Sequence, residues 1–529
     1  MSESSSNSVS APTPRRRIYS RAGVASIALL VVLGVAGLTW TSELLTFVEW
    51  ASREKPGPNY IDKNPQLSDD ERLMYALSHV GGQPAIDSAK EIVRRDDPRF
   101  IPVLIEMLVA NEAEISLAGA GTHNHIKSLE QLADRNFRNE AQAVQRMAEF
   151  WKKWYLSTDI EPPPGFVGWK GRLLSRYDPF FSRLLRNESE ASVRVEEIHA
   201  AGARRVVGPA LNKPKFISAA EATQFVSTEP VIGVRINGES RAYPQRIIDW
   251  HQAVNDVVSG IPVSITCCGL TGTAICFNRQ GPKGQLLTLN SSGLVYRGNE
   301  LLYDDETHSL WCQITGRQVV GEESDEAFEL SSFPVVISSW GEWKEEHPDT
   351  RVLSTDTGFR RNYEPGAARG RYFEAPETVF PPYQPDDSLP AKTRVFGLFS
   401  ADEKSTKAYP VSALVKTRVI NDTVGETPYV LVSTNGELTV DWKRRNGVTR
   451  YPAGAEIRAY RREGETFQVS DDSETVLDSR GARWDITEEA LVGPDNRKLA
   501  RVPGVHAFWF GWHAFHPDGA LYRMAAKSN

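Results

Sequence analysis

Cysteine is scarce in this chain of 529 residues: there are four. Four thiols are too few to scaffold a body of that length, so its cores must come from ordinary apolar packing. A charge excess is also missing. Lys+Arg number 61 against Asp+Glu 68, net −7, which leaves no global basic field of the kind that draws a protein onto nucleic acid. The chain shows no Gly-rich phosphate loop, no Ser-His-Asp order that stands out and no paired-carboxylate signature beyond an acidic surface. What remains is length for roughly three domains, with 13 Trp, 39 Gly and 32 Pro pointing to turns and β structure rather than a helical bundle.

After Arg15-Arg16-Arg17 and Arg21 comes an uncharged run, Ala22 to Trp40. At 1.5 Å per residue it spans about 28 Å, close to the hydrocarbon thickness of a bilayer. The expectation is a cytoplasmic head over 1–21 and a single-pass transmembrane helix over 22–40, with the bulk of the chain exported to the periplasmic or extracytoplasmic side of the cell membrane. The competing reading, a cleaved signal peptide, also exports the body.

From 59 to 211 apolar residues recur at helical spacing, as in "DDERLMYALSHV", "RFIPVLIEMLVA" and "EAQAVQRMAEFWKKWYL". This predicts an α-helical domain, and "DDPRFIPVLIEML" resembles one HEAT-type unit, where at least three repeats are usual. His123 and His125 read as polar residues of the Gly-rich loop "AGAGTHNHIK". "EPPPGFVGWKG" then marks a break.

Beyond Phe216 short β-branched and aromatic runs alternate with turns, and the pattern occurs twice. Ala242-Tyr243-Pro244 and Asn255-Asp256 recur as Ala408-Tyr409-Pro410 and Asn421-Asp422, 166 residues on, and "SWGEWKEEHPD" recurs as "FWFGWHAFHPD". A mainly-β (α+β) region built from two internal repeats is therefore expected, over 216–366 and 391–525, and the whole chain reads as multidomain. Features shared by both copies read as turns and aromatic core. The thiols belong to the first copy: Cys267 and Cys268 fall on Ser433 and Thr434, and Trp250-His251 on Lys416-Thr417.

"WHQAVNDVVSGIPVSITCCGLTGTAICFNR", "SSGLVYRGNELLYDDETHSLWCQITGRQVVG" and "SWGEWKEEHPDTRVLSTDTGFRRNY", followed by the second copy's "FWFGWHAFHPDG", resemble the bacterial and archaeal family of domain of unknown function 3179. The resemblance covers about residues 216–525. It implies an extracytoplasmic domain, commonly tethered to the membrane, with a redox-type Cys-x-x-Cys inside Tyr-Cys-Pro-Leu-Cys-Gly. Here Cys268 keeps the first cysteine, Thr271 stands where the second would be, and Cys267 replaces the tyrosine. Dithiol exchange within that motif is not available.

Three functions are left open. The first is a thiol redox protein using Cys268, its thiolate held by the Thr271 hydroxyl, with His251 as nearby base or cation and Cys312 or Cys276 as resolving thiol. It needs no cofactor and expects a redox protein partner. The second is a copper or zinc module drawing on Cys268, His251, His308 and Cys312, although His308 and Cys312 would lie about 13 Å apart along one strand. The third is a binding or structural domain whose cysteines are buried. Arg360 and Arg361 beside Asp356 and Tyr363 could line an anionic site or form a solvated turn.

Overall fold

The computed structural model describes residues 58–78, 83–113, 120–141, 147–186, 191–201, 208–321, 328–444 and 447–524. Residues 55–529 form one compact unit. The expected fold class, which began with a transmembrane helix, is corrected. Among the described residues no helix is long and apolar enough to cross a membrane. The longest, Ala120–Ala133, has 14 residues and reaches about 21 Å, short of a bilayer's hydrocarbon core of about 30 Å. The run over 22–40 itself lies outside the described residues.

The first helices pair along the chain. Asp69–Leu77 contacts Gln83–Arg95, Ile101–Ala113 contacts Ala120–Ala133, and Gln83–Arg95 also meets Ala120–Ala133. Ser68 opens the first of them with a reciprocal capping box to Glu71, which satisfies two otherwise orphaned N–H groups. The helix Ala120–Ala133 takes in His123 and His125, so the Gly-rich stretch read as a loop is helical. His125 is buried and burial lowers it to about 4. Ile101, Leu104 and Leu108 share one core with Leu294, Leu301 and Trp311 of the β region, so the helices pack directly on the sheets.

The two β copies are built alike. In the first, strands Pro230–Ile236 and Glu239–Pro244 lead into helix Gln245–His251, then Ala253–Val258 and Ile261–Cys268. In the second, Arg394–Phe399 and Thr406–Pro410 lead into helix Val411–Thr417, then Val419–Val424 and Thr427–Ser433. Each short helix ends in a left-side residue, Gln252 at φ 61 and Arg418 at φ 66. Each copy closes on a tryptophan helix, Trp340–Glu346 and Trp509–His513. Trp343 and Trp512 are buried over Gly233 and Gly397, where any added Cβ would fall within 2.4 Å of the indole, so both glycines are there for close approach.

The copies are not side by side but laced. Strand Thr273–Asn278 of the first pairs with Val505–Phe508 of the second, which continues into Arg394–Phe399. Where the first copy turns sharply after Cys268 into Thr273–Asn278, the second inserts a hairpin, Leu438–Arg444 with Gly447–Gly454, before Ile457–Arg461. The strand Gly447–Gly454 packs on Gly370–Glu374, a short helix in the segment joining the copies.

Candidate functional site

The strand Ile261–Cys268 sends successive side chains to opposite faces. Its two cysteines therefore enter different surroundings. Cys268 packs with Leu270 and Val295, and Phe380 of the joining segment lies against them. All four thiols are buried and unpaired.

Cys268 begins a tight turn. The Gly272 N–H donates to the Cys268 carbonyl at 2.8 Å, and Gly272 takes φ 66, a left-handed conformation that a side chain would strain. Backbone Glu300 N–H donates to Sγ at 3.3 Å, and Thr271 follows three residues on, its hydroxyl accepting from Asn299 Nδ2 at 2.8 Å. Burial pushes the thiol up, the Glu300 carboxylate adds to that, and the Thr271 hydroxyl and N–H with the Glu300 N–H pull it back. The Glu300 carboxyl itself is pushed up to about 7 by burial, moderated by Ser291 and Arg369.

A second turn repeats the first. Cys312-Gln-Ile-Thr315-Gly316 has the spacing of Cys268-Gly-Leu-Thr271-Gly272. Gly316 N–H donates to the Cys312 carbonyl at 2.8 Å and Gly316 takes φ 73. Burial pushes the Cys312 thiol up, and the Thr315 hydroxyl and N–H lower it. The twin Cys-x-x-Thr-Gly is visible as spacing, but the sequence suggests Cys312 only as a resolving thiol or a metal ligand. Between the turns runs a fully buried polar network. Asn299 Nδ2 donates to Thr271 Oγ1 at 2.8 Å and to Gln313 Oε1 at 3.1 Å, Thr273 donates to Gln313 Oε1 at 2.6 Å, and Gln313 Nε2 donates to Thr266 at 3.1 Å. Such a network is rigid because each buried group depends on its neighbours for partners. It does not join the sulfurs: Cys312 belongs to the core shared with the helices, Cys268 to its own small cluster.

Cys267 looks the other way, into a buried chamber whose polar walls are Cys267, Gln245 and Arg394 and whose apolar walls include Ile337, Phe373 and Ala453. Burial pushes the thiol well up, Asp249 and Cys268 push further, and Arg394 and Arg369 oppose them. Asp249 is buried, its carboxyl pushed up to about 7 by burial against the pull of Arg369 and Arg394. Its Oδ1, Gln245 Oε1 and Arg394 Nη2 have no hydrogen-bond partner. Arg369 lies over the glycine after both thiols: a Cβ on Gly269 would sit 2.8 Å from its Nε. Nothing in the local sequence marks Asp249, Glu300, Arg369 or Arg394, because their meeting depends on pairings between distant strands.

The joining segment covers this region. Tyr372 donates its hydroxyl proton to the Leu270 carbonyl at 2.7 Å, and Lys392 Nζ holds the carbonyls of Tyr372 and Ala375.

His251, read as the nearest base, is fully engaged elsewhere. Nδ1 donates to the Pro209 carbonyl at 2.7 Å, which leaves Nε2 to accept from the Tyr363 hydroxyl at 2.6 Å, and burial lowers it. Tyr363 is thereby part of this support, while Asp356 pairs with exposed Lys215 at 2.7 Å. Arg361 stacks toward Trp250. His308 sits at φ 57 against Phe180. Cys268, His251, His308 and Cys312 form no common ligand group among the described residues. The one group of three that does gather is Glu346, His347 and Glu488, and guanidiniums already hold it. Arg458 Nη2 lies 3.0 Å from Glu346 and 2.6 Å from Glu488, and Arg501 pairs with Glu488.

A family model described as protein of unknown function, DUF3179, matches residues 208–519, more than half of the chain. No curated protein and no solved structure matches it.

Proposed function

The chain belongs to the DUF3179 family, and from that premise we propose that its β region is a thiol-dependent redox module with Cys268 as the reacting sulfur. The observation that carries this is the Glu300 N–H donating to Cys268 Sγ at 3.3 Å, and the neighbouring Thr271 hydroxyl and N–H also lower that thiol. Donors aimed at sulfur favour the thiolate, which is the nucleophile. Glu300 supports the same role, since a carboxyl near 7 can take the thiol proton at neutral pH and return it. The thiolate would attack a disulfide of a partner protein, forming a mixed disulfide as the partner's other sulfur leaves and takes a proton. With Cys312 in a separate core, release falls to an external thiol, which attacks the partner's sulfur, forms the new S–S bond with it and returns Cys268 as a thiolate. The covering segment, with Arg369, Tyr372 and Phe380, must lift for that approach.

The full burial of all four thiols favours a second reading, a domain whose cysteines only pack. Native full-length protein treated with glutathione disulfide, then digested and weighed, separates the two. A mixed disulfide on Cys268, lost in Cys268→Ser while the fold is retained, supports the redox module. Failure of Cys268 to form an adduct in the folded chain leaves the packing reading.

A further inference from the structure

We propose that the chamber beside Cys267 is a second, independent site, which admits hydrogen peroxide but no bulkier oxidant and makes Cys267 a sulfur that is oxidised to a sulfenic acid. The argument starts from unmet hydrogen bonds. Arg394 is 6 % exposed and Asp249 3 %, yet Arg394 Nη2, Asp249 Oδ1 and the Gln245 Oε1 on the same helix as Asp249 have no partner. A buried polar atom left alone costs about 1–3 kcal/mol, and two of these, on Arg394 and Gln245, line one chamber, which implies an occupant that supplies what they lack. Arg394 and Gln245 both line the chamber with Cys267. The space in it open to the centre of an oxygen-sized atom is about 10 Å³, which takes two oxygens one bond apart but not a tert-butyl group.

The donor set selects the chemistry of that occupant. Arg394 offers a proton, Gln245 accepts one, and Asp249 with its carboxyl near 7 can do either, so a small neutral hydroxylic molecule fits where an anion or cation would leave one wall unpaired. Water satisfies this set, and hydrogen peroxide is the small oxidant that shares its hydrogen-bonding character. The duplicate supports a ligand role. At the positions of Gln245 and Asp249 it carries Val411 and Val415, so the frame does not require polar side chains there.

The step balances. The Cys267 thiol gives its proton to Asp249, directly or through the peroxide. The thiolate attacks one peroxide oxygen, the S–O bond forms as the O–O bond breaks, and the departing hydroxide recovers the proton and leaves as water. Sulfur loses two electrons and oxygen gains them. The Arg394 guanidinium faces the departing oxygen, where negative charge develops. Since burial holds the thiol protonated for most of the time, the reaction is slow and selective by size.

Full-length Cys268→Ser protein is exposed to hydrogen peroxide or, at the same concentration, to tert-butyl hydroperoxide. The oxidant is then removed, the chain is unfolded in the presence of a dimedone-type reagent, and the adducts are located by peptide mass spectrometry. The expected result is an adduct on Cys267 that forms at least about ten-fold faster with hydrogen peroxide, and that Arg394→Met slows by about ten-fold or more. Gln245→Leu, at a half-buried position, provides the same test with less risk to folding. The proposal is overturned if native exposure to hydrogen peroxide leaves no more adduct on Cys267 than a sample never exposed to oxidant, or if both oxidants label it equally. Because the test is made without Cys268, its failure leaves the mixed-disulfide reading standing, and failure of that reading leaves this one.

Discussion

The first copy and the second copy share a frame down to single hydrogen bonds, and they part company at the end of one strand. Asn255 exchanges hydrogen bonds with Leu289 as Asn421 does with Phe467. Trp311 donates to Asp304 as Trp484 does to Asp478. At Cys267 and Cys268 the duplicate has Ser433 and Thr434, and its surroundings are knit by ion pairs. Arg458 reaches Glu346, Glu456, Glu488 and the Thr434 hydroxyl, and Asn435 joins Glu456. On the Cys267 face of the first copy Arg394, Asp249 and Gln245 each keep an unpartnered atom, and no salt bridge joins them. The same scaffold thus carries one knot of paired charges and one site whose polar groups are not paired with each other.

Breaking the knot should have the largest effect. Arg458→Met leaves Glu456 buried without its cation and Glu488 with Arg501 alone, and should cost about 3–5 kcal/mol in denaturant unfolding. A loss below about 1 kcal/mol would mean that the duplicate is not held by this network. Next comes pH. The carboxyls of Asp249 and Glu300 stand near 7 when folded, chiefly through burial, against about 4 when unfolded. The folded chain therefore holds protons that the unfolded chain has released, so their contribution to stability is complete below about pH 4 and is lost as pH rises to about 7. Asp249→Asn and Glu300→Gln should each flatten the stability profile in that window by about 2–4 kcal/mol, and an unchanged slope would refute the assignment. Asn255→Ala and Asn421→Ala should each cost about 1–3 kcal/mol, with Asn255 the costlier because it also holds Asn212. Very unequal losses would break the equivalence of the two frames. Cys267→Ser, which imports the residue of the duplicate, should change stability by only about 1 kcal/mol while abolishing dimedone labelling at that position.

The duplication was legible because turns and aromatic anchors are local signals. A Pro before a helix, an Asn near a strand start and a Trp-x-x-Trp run before His-Pro-Asp each declare themselves within a few residues, and the offset of 166 aligns Gln245–His251 with Val411–Thr417 residue for residue. The alternation of Cys267 and Cys268 was legible for the same reason. His251 was misjudged because nearness in sequence says nothing about ring direction: it closes its helix with both nitrogens turned to Pro209 and Tyr363. His123 and His125 were assigned to a loop from their glycines, and packing on neighbouring helices outweighed that local weakness. The chamber could not be read at all, since Gln245, Arg394 and Ala453 meet only through long-range packing between the copies.

That lacing also sets an order of events. Strand Thr273–Asn278, the neighbour of the cysteine strand, finds its other partner in Val505–Phe508, close to the C-terminal end of the chain. A ribosome making this protein delivers the thiols long before it delivers the strand that completes their sheet. Until Phe373, Arg394 and Ala453 have been made, Cys267 lacks those walls of its chamber, so its sulfur is more open to the surroundings during synthesis than in the finished fold.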